Sequence, residues 1–270
     1  MSKIYVHRLI TDEALASYNE FPVLTISGPR QSGKTTLARH LFDELPYFNL
    51  ENPDTLEMIT ADPRAFLNQN PQGAIIDEIQ RAPELLSYLQ TTVDEKPECK
   101  FVITGSNQFA MLERVTQSLA GRTAVLKLLP FCLSEIFKLS PGLSADELIL
   151  NGSLPAIYSE GRQSTRTYRN YYETYVERDV RSLINIKEIS LFRKFIRLCA
   201  GRTGQLLNAS QLANETGVSV NTIKSWIAVL ETSFIIYLLQ PWYDNINKRL
   251  TKSPKLYFYD VGLAAYLLSL

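Results

Sequence analysis

Apolar positions in the first half of the chain fall into short runs separated by longer stretches with helical spacing. The runs at 23–26, 47–50, 74–76, 101–104 and 124–128 predict strands, and 12–19, 34–45, 83–93 and 109–120 predict helices. Strands alternating with helices predict an α/β fold with a parallel sheet and crossover helices in three layers. Pro83 at a helix start and Pro97 ahead of a strand are consistent punctuation. From about 130 to 185 the pattern becomes helical around a turn at 151–155. Residues 166–183 mix aromatic and apolar anchors with arginines and lack Gly and Pro, which predicts one long helix. Beyond 186 a helix at 191–200 is broken by Gly201 and Gly204. A capped helix from Asn208 then leads through a tight turn into a second helix at 220–231. That helix carries Ile223, Trp226, Ile227 and Leu230 on one face. Runs at 234–239, 246–250 and 256–259 read as strands, so helix-turn-helix followed by a hairpin predicts a winged-helix domain.

At 270 residues the chain exceeds one ordinary domain. The three regimes divide it into 1–139, 140–185 and 186–270, with no internal repeat or low-complexity tract. A hydrophobic fraction of 45% argues against disorder. Lys and Arg number 28, as do Asp and Glu, for a net charge of +0. That balance removes the argument for a protein that coats nucleic acid and leaves local basic patches open. No apolar run approaches eighteen residues, and the first eight residues lack the apolar core of a secretory signal. A cytoplasmic protein with no membrane partner is the expectation. Cys99, Cys132 and Cys199 are odd in number and lack metal spacing, so they read as buried or spectator thiols. His7 and His40 have no neighbours at ligand spacing. The sequons at Asn151 and Asn208 read as a turn and a helix cap.

The sharpest chemistry follows the first strand run. Gly28, Pro29, Arg30, Gln31, Ser32, Gly33, Lys34 and Thr35 fit G-x-x-x-x-G-K-[ST], and Thr36 continues into a helix-forming stretch. Strand, glycine loop and helix in that order suit a nucleoside triphosphate. The glycines allow backbone N–H groups to turn inward, and the helix start adds its positive end. Lys34 is expected to reach the β- and γ-phosphates, Thr35 to hold Mg²⁺, and Arg30 is a weaker candidate for a phosphate contact.

A second element is the apolar strand ending in Asp77-Glu78. Asp77 at a strand's end suits a carboxylate that orients Mg²⁺, while Glu78 suits the general base that polarises a water. The same pair also suits a helix start before Ile79. A third element is the strand run ending in Thr104-Gly105-Ser106-Asn107, where Thr104, Ser106 and Asn107 compete as sensors of the γ-phosphate or attacking water. The hairpin at 247–255 carries Lys248, Arg249, Lys252 and Lys255, which makes DNA a candidate partner alongside a wing that packs on protein. Trp242 and Tyr243 read as core or cover rather than base-stacking groups.

With Gly28–Thr35 written out, then Ile75-Ile76-Asp77-Glu78 and Ile103-Thr104-Gly105-Ser106-Asn107, the chain resembles an AAA+-type P-loop ATPase with a glutamate base. More narrowly, Gly-Pro-Arg-Gln-Ser-Gly-Lys-Thr-Thr, Asp-Glu-Ile-Gln-Arg, Glu177-Arg178-Asp179-Val180 and the segment from Ser253 to Asp260 are similar to prokaryotic ATPases with a C-terminal domain of unknown function. The resemblance covers essentially the whole chain. It implies ATP and Mg²⁺ as cofactors, an ATPase core to 139, a helical lid at 140–185 and a winged helix at 186–270. It further implies a continuation past Leu270 into a nuclease-like part. It suggests Arg122 as an arginine finger reaching a neighbour's γ-phosphate in a homo-oligomer, against the plainer reading of a helix-end arginine satisfying carbonyls. The expected function is Mg-dependent ATP hydrolysis coupled to a conformational change in the winged helix. The alternatives are a small-molecule kinase and a nucleotide-gated DNA- or protein-binding switch with little turnover.

Overall fold

The computed structural model describes residues 5–105, 115, 117–180, 188–242, 244 and 252–270, with the side chains of 178–180 left aside. It divides into two compact units, residues 5–130 and 131–270.

In the first unit, α1 (Thr11–Glu20) precedes β1 (Val23–Ser27), and α2 (Lys34–Leu41) leads to β2 (Tyr47–Asn49). Two helices follow, α3 (Pro53–Ala61) and α4 (Pro63–Gln69), before β3 (Gly73–Asp77). Next come a 3₁₀ turn (Ile79–Arg81), α5 (Leu85–Glu95), β4 (Lys100–Gly105) and β5 (Thr123–Lys127). Every expected strand of this half is present. The sheet runs in the order β2-β3-β4-β1-β5 with all pairings parallel. The expected helix at 109–120 lies largely outside the described residues.

Neighbouring residues of each strand face different cores, which explains the unbroken apolar runs. Val23, Ile76 and Ile103 join one cluster with Phe66, Leu85 and Leu89 from α4 and α5. Leu24, Ile75 and Val102 join another with Ala14, Leu37 and Ala38 from α1 and α2. Helices therefore cover both faces, giving three layers. Sequence reading missed α3 and α4, although their starts are marked. Asn52 and Asp62 each precede a proline, and their side chains accept hydrogen bonds from Asp54 N and Thr55 N, and from Ala65 N.

The second unit begins with α6 (Leu133–Leu139), α7 (Ala145–Asn151), α8 (Pro155–Ser159) and α9 (Ser164–Tyr171). The long helix expected at 166–183 winds as an α-helix only to Tyr171 and as a π-helix over Tyr172–Val180. Then come α10 (Ile189–Ala200), α11 (Ala209–Thr216), α12 (Val220–Thr232) and an antiparallel pair, β6 (Ile236–Leu239) with β7 (Lys255–Phe258). The helix α13 (Val261–Leu267) follows. The strand expected at 246–250 lies outside the described residues. Asn208 caps α11 by accepting from Gln211 N, as the helix-cap reading of its sequon requires.

The expected boundary near 185 does not divide this unit, because one core spans it. Tyr168 and Val176 share that core with Phe192, Trp226, Leu230, Phe258 and Leu263. The Trp226 indole meets Phe192 edge-on at 5.4 Å and Phe195 at 5.3 Å. A buried polar node lies within the same unit. The Tyr168 hydroxyl reaches Asp260 Oδ1 and Oδ2 at 2.9 and 2.8 Å, and Ser153 N and Gly262 N donate to Oδ1. Burial pushes the Asp260 carboxyl up to about 6 against these stabilising hydrogen bonds. Cys199 is buried as expected, as is Cys99, whereas Cys132 is exposed. No helix among the described residues is long and apolar enough to cross a membrane.

Candidate functional site

All strands of the first unit run the same way, so the loops after β1, β3 and β4 leave from one edge of the sheet. The order places β4 between β1 and β3, and this sets the end of β4 between the glycine loop and the Asp77 turn. Ser27 is in register with Gly105, and Ile76 with Ile103. Elements separated by some seventy residues thus converge through sheet pairing alone.

The glycine loop is held by close contacts. A Cβ on Gly28 would lie 2.1 Å from the Leu128 carbonyl oxygen, so no larger residue fits. Gly33 caps α2 with φ 93°, a left-handed conformation that glycine adopts at little cost. Pro29 and Ser32 are buried, Arg30 is half-buried, and Gln31 is exposed with φ 62°. The Ser32 hydroxyl is fully buried and has no hydrogen-bond partner. Lys34 is buried and folds back on the loop, donating to the carbonyls of Gly28 at 3.1 Å and Pro29 at 2.8 Å. Burial lowers its ammonium to about 8, although Glu78 and Asp77 pull the other way. Thr36 is exposed in the first turn of α2.

Asp77 is buried at the end of β3 and receives three hydroxyls. Thr35 Oγ1 and Tyr47 Oη donate to Oδ2, each at 2.8 Å, and Thr104 Oγ1 donates to Oδ1. Tyr47 carries no sequence motif, yet it touches this carboxylate. Burial and the bond to Asp77 raise its phenol well above the usual tyrosine range. Glu78 adopts φ 60° and ψ 47°, a left-handed turn, and its Oε2 accepts from Gln80 Nε2. Of the three sensor candidates, Thr104 sits beside Asp77, while Ser106 and Asn107 lie outside the described residues.

Arg8 is a second residue that sequence reading passed over. It is buried, and its guanidinium donates to Ser32 O at 2.8 Å, Leu129 O at 2.6 Å and Pro130 O at 3.3 Å. The fork thereby ties the glycine loop to the chain leaving β5. No pattern in the sequence signals this, because a lone arginine near a helix start carries no periodicity.

Arg122 stands elsewhere. Its carbonyl accepts from Val23 N at the start of β1, at the opposite edge of the sheet from the glycine loop. Its side chain makes an exposed paired contact with Asp94, at 2.5 and 2.7 Å. Five residues of β1 separate the two edges by about 17 Å. Arg122 is therefore not part of its own chain's loop site. In the second unit Lys252 and Lys255 are exposed, whereas Lys248 and Arg249 lie outside the described residues. Trp242, expected to serve as core or cover, is 77% exposed. Tyr243 lies outside the described residues.

Among the described residues no group of three or more His, Cys, Asp or Glu gathers as a metal cage. One hydroxyl and one carboxylate at the loop suit a hard cation that keeps waters and shares phosphate oxygens. The orphaned Ser32 hydroxyl and the buried Lys34 ammonium suit an anionic ligand in the same loop.

Fold and loop together define a P-loop domain on an α/β scaffold with a parallel sheet. Residues 20–137 match the family model described as AAA domain, and 143–270 match one described as Domain of unknown function (DUF8612). The first half of the chain therefore carries an AAA domain of the P-loop type. It is 32% identical over 255 residues to uncharacterized proteins of Mycobacterium tuberculosis and Mycobacterium bovis. Those matches cover 92% of this chain and 56% of each relative, so the chain spans about half the length of the curated relatives it matches. A solved structure with the same fold is the Walker-type ATPase of Pyrococcus abyssi, with a TM-score of 0.64 and 15% identity. That match covers 97% of this chain and 96% of the other.

Proposed function

We propose that this chain binds ATP with Mg²⁺ and hydrolyses it by attack of water. The observation that carries the reading is Asp77, buried at a strand end with the loop hydroxyl of Thr35 at 2.8 Å and Glu78 as the next residue. Thr35 and Asp77 would hold Mg²⁺, which supplies charge neutralisation at the β- and γ-phosphate oxygens. Lys34 would leave the Gly28 and Pro29 carbonyls for the phosphates, and the buried Ser32 hydroxyl would gain a partner. Glu78 would accept a proton from the attacking water once released by Gln80. Backbone N–H groups of the loop would absorb developing charge.

The experiment is turnover of radiolabelled ATP by the full chain and by Glu78→Gln and Lys34→Ala. The expected outcome is free phosphate from wild type, retained binding with turnover lower by about 10²–10⁴-fold in Glu78→Gln, and lost binding in Lys34→Ala. Absence of wild-type turnover with intact ATP binding would leave a nucleotide-gated switch. That second reading is favoured by the Gln80 amide, which already engages the Glu78 carboxylate.

Two features of the second unit bear on its function. The pair α11 and α12, joined through Gly217 and followed by β6 and β7, supports a winged helix as its core. Exposed Lys252 and Lys255 support DNA contact, tested by the salt dependence of duplex binding with both changed to Ala. A finger role for Arg122 requires a second copy of the chain and release from Asp94. Specific activity that rises with protein concentration in wild type and stays flat in Arg122→Ala is the expected signature.

A further inference from the structure

Tyr47 opens β2, an edge strand of the parallel sheet, and belongs to no nucleotide motif. Its hydroxyl nevertheless donates to Asp77 Oδ2 at 2.8 Å, and Thr35 donates to the same oxygen. Thr104 donates to Oδ1. The three donors differ in what holds them. Tyr47 and Thr104 stand on the strands that flank β3 on either side, with Tyr47 in register with Ile75 and Ile103 with Ile76. Sheet hydrogen bonds fix both. Thr35 alone stands in the first turn of the helix after the glycine loop.

A carboxylate oxygen offers about two lone-pair directions, so two donors on Oδ2 fill it. For Asp77 to hold a cation together with Thr35, directly or through a water, one of those directions would have to be freed. Thr35 is the donor suited to yield it, because a hydroxyl that binds a cation through its oxygen turns its proton away. Tyr47 and Thr104 need not move. The Arg39 guanidinium lies 4.7 Å from the Tyr47 ring centroid and braces the phenol from outside.

We infer that Tyr47 is a positioning residue for the magnesium carboxylate: its phenol and the Thr104 hydroxyl hold Asp77 turned toward Thr35 before any ligand arrives. This rests on the reading of Asp77 as the carboxylate that serves Mg²⁺. Partners that orient a metal carboxylate in this way commonly contribute 10- to 100-fold in metal affinity.

The test is a Mg²⁺ titration of binding of a fluorescent ATP analogue to the full chain, in wild type, Tyr47→Phe and Asp77→Asn, with a parallel nucleotide titration in EDTA. Phenylalanine keeps the ring against Arg39, and a thermal melt checks that the variant folds. The expected result is that Tyr47→Phe needs about 10-fold more Mg²⁺ for half-saturation, while its affinity in EDTA stays within about twofold of wild type. A Tyr47→Phe curve that overlies wild type while Asp77→Asn is displaced overturns the role of Tyr47 alone. Curves that overlie for all three proteins overturn the reading of Asp77 as well. A loss for Tyr47→Phe that is equal with and without Mg²⁺ also overturns the inference, since it marks general damage to the loop.

Discussion

At the scale of single residues, the glycine loop depends on contacts that reach outside its motif. Gly28 lies against the Leu128 carbonyl, and Arg8 reaches three carbonyls, one of them in the loop. Gly28→Ala is expected to destabilise the first unit by about 2–4 kcal/mol, measured by urea unfolding, because backbone must move to admit the methyl. Arg8→Lys keeps the charge and loses the fork. It is expected to weaken ATP binding severalfold, read by titration calorimetry, with Arg8→Ala weaker still. The loop, Asp77 and Glu78 were legible because their chemistry is written in consecutive residues. Arg8 and Tyr47 were not, because each acts through an oxygen remote in sequence, Ser32 for one and Asp77 for the other.

Among the secondary-structure elements, local rules held where a single strong signal was present. The strands of the first unit were legible from apolar runs, since a sheet covered on both faces excludes polar residues from its middle. The helices α3 and α4 carry equally good start signals in Asn52-Pro53 and Asp62-Pro63, and their sparse apolar periodicity hid them. Asn52→Ala and Asp62→Ala should each lower the stability of the first unit by about 1 kcal/mol in urea unfolding, as cap loss generally does. The π-winding over Tyr172–Val180 follows from no propensity in that segment. Composition without Gly or Pro predicts continued helix and says nothing of its pitch.

At the scale of the whole molecule, two units carry separate cores, so cooperative unfolding is expected in two steps. Calorimetry with and without MgATP is expected to move only the transition of residues 5–130, by mass action on the state that binds. The second unit has its own pH signature. The Asp260 carboxyl is raised from 3.8 to about 6 in the folded chain, so the folded state holds this proton more tightly than the unfolded chain. Its contribution is full below about pH 4 and is lost as pH rises through about 6, a change of about 3 kcal/mol. Urea unfolding between pH 4.5 and 7 should show the second transition weakening over that window, and Asp260→Asn should flatten the slope.

The amino-acid sequence by itself determined the α/β class, the strand positions of the first unit, the glycine loop and the acidic pair after β3. These depend on spacing between near neighbours, where burial and backbone geometry act directly on consecutive residues. The tertiary structure decided which strand lies beside which. It thereby decided that Thr35, Tyr47 and Thr104 meet on one carboxylate while Arg122 stands at the far edge with Asp94. It also merged the segments read as lid and winged helix around a single core. Such contacts join residues tens of positions apart, and only the order of strands in the sheet and the shared burial of the second unit bring them together.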